Sequence, residues 1–281
     1  MRHYMLVCML LLAACTRGTP NVIDTVIILF ASENPTTRAG VPDEEKVSDW
    51  NLLIFNAFGD LEEQVYIPAR SMDSGRLVHT TRLLRDVPYT LVAAANMGFR
   101  LPFRSLAEAK AFRYYMAHPD EYAEGIPMAT VLENICITEE MPVRLERLMA
   151  RIDLRLDRRE QDSSQLLKVT EVSIGNSPSS VSLFPGSRLE TASQAFQPGF
   201  TLRDQEVEAL NRDLADGLSG TVYLYLLENV SDLHESYLEI KAEYHSEDQH
   251  TAPGERLTFR LPLGEVLRNR VYPINVSVPT L

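Results

Sequence analysis

The feature that most constrains the fold is a strict alternation of apolar and charged residues between positions 150 and 157. Five apolar residues recur at every second position, namely Leu148, Ala150, Ile152, Leu154 and Leu156. From position 151 onward the other positions carry charges, namely Arg151, Asp153, Arg155 and Asp157. A period of two is the side-chain repeat of a β-strand. The pattern therefore predicts a strand with a buried face and a solvent-facing charged face.

Strand signals recur along most of the chain. Val26 to Phe30 and Trp50 to Phe55 are almost continuously apolar, which predicts strands buried on both faces. Phe58-Gly59-Asp60 is a turn signal, from which Val65 to Ile67 can return as the second strand of a hairpin. The other predicted strands are Leu91 to Ala95, Val169 to Ile174, Val181 to Phe184, Thr221 to Leu227, Tyr237 to Tyr244, Leu257 to Leu263 and Tyr272 to Val278. Many strands without alternating helices predict a mostly β protein built from antiparallel sandwiches.

Two segments have helical patterns. Ser105 and Glu108 form a capping box, and the apolar spacing that follows predicts a helix that ends near His118-Pro119. A weaker pattern predicts a second helix from Asp204 to Leu214.

The composition changes near Arg144 to Arg147, where Pro142 and mixed charges precede the alternating strand. We place a domain boundary there, between an N-terminal sandwich at residues 15–146 and a C-terminal sandwich at residues 147–281. The polar, proline-bearing stretch from Ser32 to Asp49 predicts a long exposed loop.

Residues 1–14 have the features of a secretion signal. Arg2 precedes an apolar run that is too short to span a bilayer, and the run closes with Leu12-Ala13-Ala14-Cys15. These four residues resemble the bacterial lipobox, which implies cleavage before Cys15 and lipid attachment to its thiol. Each buried methylene contributes about 0.8 kcal/mol, so several acyl chains on one cysteine anchor a protein durably. The alternative is an ordinary cleaved signal that happens to end in cysteine.

Cysteine count and net charge exclude several classes. Cys8 leaves with the signal and Cys15 is expected to carry lipid, so Cys136 has no partner for a disulfide. The net charge of −12 disfavours nucleic acid as a partner and leaves lipid, rather than a basic patch, as the expected membrane contact.

The sequence contains no recognisable catalytic, metal or cofactor motif: it lacks a nucleophile elbow, a zinc helix, a phosphate loop and a calcium loop. The segment His245-Ser246-Glu247-Asp248-Gln249-His250 has metal-ligating residue types, but its turn-like surroundings favour a solvated hairpin loop. Tyr223 and Tyr225 could stack on a sugar from one strand face, although packing is the favoured reading. We expect no enzyme, no metal and no cofactor.

The C-terminal strand has an uncharged second half. Its alternating residues are Tyr272, Ile274, Val276 and Val278. An edge without charge is a template for another strand, so this strand either completes its own sandwich or adds to a neighbour's sheet.

Several segments, taken in order, resemble the FimB-type fimbrial anchor and fimbrillin-like lipoproteins of type V pili. After the lipobox come Asp24 to Phe30, Val47 to Gly59 and Leu148 to Asp153. The later segments are Val181 to Pro185, Tyr225 to Asn229, Leu261 to Gly264 and Arg268 to Val276. Together they span nearly all of the chain beyond the signal.

The resemblance implies two tandem transthyretin-like β-sandwiches, export to the outer membrane as a lipoprotein, and assembly by donation of a β-strand to another fimbrial subunit. In this reading Val26, Ile28 and Phe30 fill the N-terminal groove. Thr37-Arg38-Ala39 resembles the arginine-specific cleavage point of shaft subunits, whereas anchor subunits keep their lipid. We favour a lipid-anchored anchor or minor subunit; the alternatives are a shaft or tip subunit cut after Arg38 and a glycan-binding surface lipoprotein with a host protein or glycan as its partner.

Overall fold

The computed structural model describes residues 21–31, 44, 46–68, 76–116, 125–157, 165–185, 196–231, 233–246 and 254–277. Strands dominate these ranges, which confirms the predicted mostly β class. The first half contains β1 (Val22–Phe30), β2 (Asp49–Phe55), β3 (Leu61–Pro68), β4 (Arg76–Leu84), β5 (Pro88–Ala95), α1 (Leu106–Ala111), β6 (Arg113–Tyr115), β7 (Met128–Cys136), β8 (Glu140–Arg144) and β9 (Glu146–Arg147). The second half contains β10 (Met149–Asp157), β11 (Gln165–Gly175), β12 (Ser177–Pro178), β13 (Ser180–Ser182), β14 (Phe196–Gln197), α2 (Asp204–Ala215), β15 (Gly220–Leu227), β16 (Tyr237–Ser246), β17 (Glu255–Pro262) and β18 (Val271–Ser277).

Two sheets form the first half. One has the order β4-β1-β8, and the other has the order β3-β2-β5-β7-β9. Alternate residues of β1 pack toward the larger sheet, where Ile27 and Leu29 join Trp50, Leu52 and Leu91 in a fully buried cluster. The predicted hairpin is confirmed, because β2 and β3 pair in antiparallel register around the turn at Gly59.

The second half repeats the strand wiring of the first. β10 pairs antiparallel with β15 and parallel with β18, as β1 pairs antiparallel with β4 and parallel with β8. A facing sheet has the order β11-β16-β17. This recurrence agrees with two tandem sandwiches, although the division between residues 146 and 147 stays a prediction.

The central strand of the larger N-terminal sheet has both faces covered. All seven residues of β2 are buried, as predicted for Trp50 to Phe55. One face packs against β1, while Leu53 and Phe55 belong to a second apolar cluster that continues into the C-terminal half. β6 also pairs with β13 across the predicted boundary. The two halves are therefore joined by apolar packing and by backbone hydrogen bonds.

The prediction for β1 was wrong in one respect. Its inner face consists of Thr25, Ile27 and Leu29, each fully buried. Val26, Ile28 and Phe30, the residues named as the groove-filling face, are only partly buried. The strand is apolar on both faces. Among the described strands, the larger sheet covers only the face with Ile27 and Leu29, because β1 belongs to an outer layer.

The first helix is shorter than predicted. The Ser105 hydroxyl accepts a hydrogen bond from the Glu108 backbone, which confirms the capping interaction. The helix ends at Ala111, because Phe112 takes an extended conformation and packs edge-on against Phe103. Arg113 to Tyr115 then pair with β13 instead of continuing the helix. α2 agrees with the second predicted helix to within one residue.

Candidate functional site

The backbone of β1 is paired along both edges. Its register aligns Ile27 with His79 of β4 on one side and with Met141 of β8 on the other. The pairing with β8 covers Val26 to Phe30, and it is flanked by hydrogen bonds from the Val26 amide to the Glu139 carbonyl and from the Leu145 amide to the Phe30 carbonyl. If β1 were withdrawn, β4 and β8 would each expose an unpaired edge above the apolar core. Such a groove has the shape and hydrogen-bonding groups that accept another strand.

β18 has the opposite character. It pairs with β10 along one edge, and no other described strand pairs with it. Its inner-facing residues Tyr272, Ile274 and Val276 pack against the core but remain partly exposed. The remaining positions from Val271 to Ser277 carry no charge. Charged residues and proline usually protect an edge strand from pairing with another chain, and in this described segment only Pro273 is of that kind. In this chain the C-terminal strand thus completes its own sheet, while Val278 lies outside the described residues.

A buried ion pair fixes the turn that leads into β18. Arg268 donates to the Glu228 carboxylate at 2.6 Å and to the carbonyl groups of Ser182 and Leu183. Both charged side chains are about 95% buried, with exposures of 5% and 6%. The guanidinium therefore connects the start of β18 to the ends of β13 and β15. Glu228 and Arg268 belong to segments that carry the sequence resemblance, but no local pattern indicates that two residues 40 positions apart form a pair.

A second buried network joins the segment after β1 to the C-terminal half. The Glu44 carboxylate accepts hydrogen bonds from Arg151 and from the Tyr225 hydroxyl, each at 2.7 Å. Arg147 approaches the same carboxylate at 3.5 Å. Arg151 also donates to Asp153 at 2.6 Å. Burial opposes the charged form of Arg151, but the hydrogen bonds that it donates to Asp153 and Glu44 raise its pKa above the ordinary value.

This network corrects two expectations from the sequence. Arg151 does not lie on a wet strand face, because its side chain is 5% exposed beneath Glu44. The stretch from Ser32 to Asp49 is not exposed throughout, since Glu44 and Asp49 are both buried. Alternation showed that Arg151 and Asp153 share a face of β10, but it could not show that another segment covers that face. A single glutamate in a polar loop carries no signal of burial.

The tyrosines considered for sugar stacking do not form an exposed platform. Tyr225 is 2% exposed, and its hydroxyl is used by Glu44. Tyr223 is partly buried, and the Arg151 guanidinium lies 5.3 Å from its ring centroid. Their packing agrees with the structural role, rather than sugar stacking, that the sequence analysis favours for both residues.

The remaining predicted sites lie outside the described residues. These are the lipobox residues Leu12, Ala13 and Ala14, the lipid-bearing Cys15, and the processing pair Arg38 and Ala39. Most of the histidine segment from 245 to 250 lies outside them as well. Among the described side chains, no group of three or more could hold a metal ion. Within the same ranges, no helix is long and apolar enough to cross a membrane.

No protein-family model and no curated protein matches this sequence. Solved structures do share the fold. One is the tip fimbrial protein Mfa3 from Porphyromonas gingivalis with a C-terminal truncation, at 14% identity and TM-score 0.61, covering 92% of this chain and 95% of that one. Another is a fimbrilin (FimA) from the same species, at 13% identity and TM-score 0.61, covering 94% and 92%. A fimbrial assembly protein from Parabacteroides distasonis has 12% identity and TM-score 0.53, with 90% of each chain covered.

The Glu44 network predicts that disrupting a buried ion pair lowers the free energy of unfolding more than disrupting an exposed one. Glu44→Gln should lower the free energy of unfolding by about 2 to 4 kcal/mol, because two buried guanidinium groups lose their shared carboxylate. Asp24→Asn is the matched control: the Asp24 and Arg82 side chains are 74% and 77% exposed, so its effect should stay within about 0.5 kcal/mol. Urea titration followed by circular dichroism measures both. Equal effects of the two substitutions would contradict the structural role of Glu44.

Proposed function

We propose that this protein is a structural subunit of a type V pilus, that it joins other subunits by β-strand donation, and that it has no catalytic role. The observation that carries the proposal is the contrast between β1 and β18. β1 fills a groove with two paired edges and a fully buried inner face, whereas β18 is a half-buried edge strand without charge. β1 is therefore suited to occupying an acceptor groove, and β18 is suited to leaving its own sheet.

Energetics supports this division of roles. Withdrawing β1 would expose the two fully buried aliphatic side chains Ile27 and Leu29, at about 1.5 to 3 kcal/mol each, besides two rows of backbone hydrogen bonds. Withdrawing β18 would expose side chains that are already partly open and would break one row. The pairing surface lost by β18 could be regained in a neighbouring subunit. The proteins that share the fold are described as fimbrial, which supports the same class of assembly.

We propose further that the subunit is the lipid-anchored anchor or minor subunit, held to the outer membrane through Cys15. β1 begins at Val22, directly behind the lipobox cysteine, so a lipidated chain keeps its groove filled and ends polymerisation. Cutting after Arg38 would instead remove β1 together with the lipid and would produce a shaft or tip subunit. Glu44 lies beyond that bond, so its network with Arg151 would stay with the body in either case.

The expected partners are other fimbrial subunits and the outer membrane, with no nucleic acid. The tandem division at residues 15–146 and 147–281 belongs to this proposal as well. In it, the N-terminal sandwich provides the acceptor groove, and the C-terminal sandwich holds the donor strand. The repeated strand wiring of β1 and β10 supports this arrangement.

Strand donation by β18 predicts a selective loss of assembly. Deletion of residues 271–281 should abolish co-purification with fimbrial subunits while the protein remains in the membrane fraction. Because β10 also loses its partner in that deletion, Ile274→Glu provides a second test: the new charge would lie inside the acceptor groove. Asn275→Glu is the matched control, since Asn275 points outward and its substitution should leave association unchanged.

Circular dichroism of each variant separates misfolding from loss of donation. Wild-type levels of co-purified subunits with the truncated protein, or equal effects of the two glutamate variants, would show that β18 is not the donor.

The anchor assignment predicts the mature N-terminus. Mass spectrometry of the membrane-extracted protein should find a blocked, acylated Cys15, and Cys15→Ser should release the protein from the membrane fraction. A free amino group on Ala39 in assembled pili would instead identify a processed shaft or tip subunit.

A further inference from the structure

A cleft lies on the outer face of the sheet formed by β11, β16 and β17. Its volume is about 480 Å³, within the range of roughly 300 to 1,000 Å³ that is typical of small-ligand sites. The core-facing residues Val172, Leu238 and Ile240 of the same strands are buried, whereas the buried Ile174 lines the cleft. The cleft therefore touches the apolar core only at Ile174, and its residues are distant in the sequence from β1 and β18.

The floor of the cleft consists of cross-strand pairs. Glu171, Ser173 and Gly175 of β11 lie opposite Lys241, Glu239 and Tyr237 of β16. Arg260 of β17 lies opposite Glu239, and Thr201 extends the row beyond Ser173 through an isolated bridge. Glu171, Ser173 and Glu239 thus give the cleft a polar floor, while Lys241 and Arg260 lie beside it in the same cross-strand rows.

Aromatic rings border this polar floor. Phe196 and His234 form a tilted pair with ring centroids 4.7 Å apart, and both are partly exposed. Tyr237 lies directly over Gly175, since a Cβ atom at position 175 would come within 2.1 Å of the tyrosine ring. Arg260 lies 5.0 Å from the centroid of the same ring. Gly175 and Arg260 therefore hold Tyr237 in place, while Phe196 and His234 form a wall against which a ligand can stack.

The charges of the cleft are already balanced. Lys241 contacts Glu171 at 2.9 Å and Glu239 at 3.5 Å, and Arg260 contacts Glu239 at 2.5 Å. The hydrogen bond from Arg260 lowers the pKa of Glu239, so this carboxylate remains an acceptor at neutral pH. Among the described residues, the two carboxylates are paired with these two cations, so the four groups together carry no net charge that would attract an ionic ligand. The groups that remain are hydrogen-bond acceptors and donors beside an aromatic wall, which suit a neutral ligand rich in hydroxyl groups.

We propose that this cleft binds a neutral oligosaccharide, whose apolar ring faces stack on Phe196 and His234 while its hydroxyl groups hydrogen-bond to Glu171, Glu239 and Ser173. Stacking of this kind uses the amphipathic character of a sugar ring, one side of which is largely C–H. The site goes beyond the proposed pilus role and does not depend on it, because its residues belong neither to β1 nor to β18.

Titration of the full-length protein in detergent with cellotriose, maltotriose and triacetylchitotriose, followed by calorimetry, tests the proposal. We expect saturable binding of at least one of them and no comparable binding of trilysine. Phe196→Ala should weaken binding by about tenfold or more, because it removes the stacking wall. Glu171→Gln should weaken it as well, because an amide replaces one of the charged carboxylate acceptors on the floor of the cleft. Phe58→Ala, at a β-turn residue that is 91% exposed and outside the cleft, is the matched aromatic control and should bind normally.

Circular dichroism establishes that each variant is folded, and Glu171→Gln carries the test if Phe196→Ala does not fold. Absence of saturable binding by all three sugars would overturn the proposal. Unchanged affinity in the folded cleft variants, or tighter binding of trilysine than of any sugar, would overturn it too. None of these results bears on pilus association, so failure here is distinguishable from failure of strand donation.

Discussion

The pairing of β1 along both of its edges is the interaction on which the rest of the structure depends. It closes the outer sheet of the first sandwich and places Ile27 and Leu29 over Trp50 and Leu52. The larger sheet can then bury both faces of β2, one against β1 and the other against the cluster shared with the C-terminal half. Because one strand completes this layer, its presence or removal would decide whether the first sandwich is closed or open to another chain.

The two halves are connected by more than apolar packing. Glu44 extends from the segment after β1 to Arg151 and Tyr225, and β6 pairs with β13. Arg268 and Glu228 fix the start of β18, while the strand itself contributes only half-buried side chains. The strand is therefore anchored at its beginning and weakly held along its length. This arrangement suits a terminal strand that exchanges its partner without unfolding the body.

Local patterns predicted most strands and the second helix, since alternation and apolar runs report which residues leave water. These patterns failed where contacts with distant segments determine the local structure or the burial of a residue. The first helix ends early because Arg113 to Tyr115 pair with β13, and Arg151 is buried because Glu44 covers it. Apolar side chains at Val26, Ile28 and Phe30 suggested a second buried face, but within the described part of the chain these residues are only partly buried. The cleft beside Glu239 depends on cross-strand register, which a single segment of sequence does not reveal.

Hydrogen exchange measured by mass spectrometry is the most direct test of the contrast between the firmly held β1 and the weakly held β18, because it reports how each strand opens in the folded protein. We expect the amides of β1 to exchange as slowly as those of β2, because both should open only with the whole sandwich. The amides of β18 should exchange faster, by local release from β10. Equal or slower exchange of β18, or rapid exchange of β1, would contradict the assignment of one strand as the held groove filler and the other as the releasable donor.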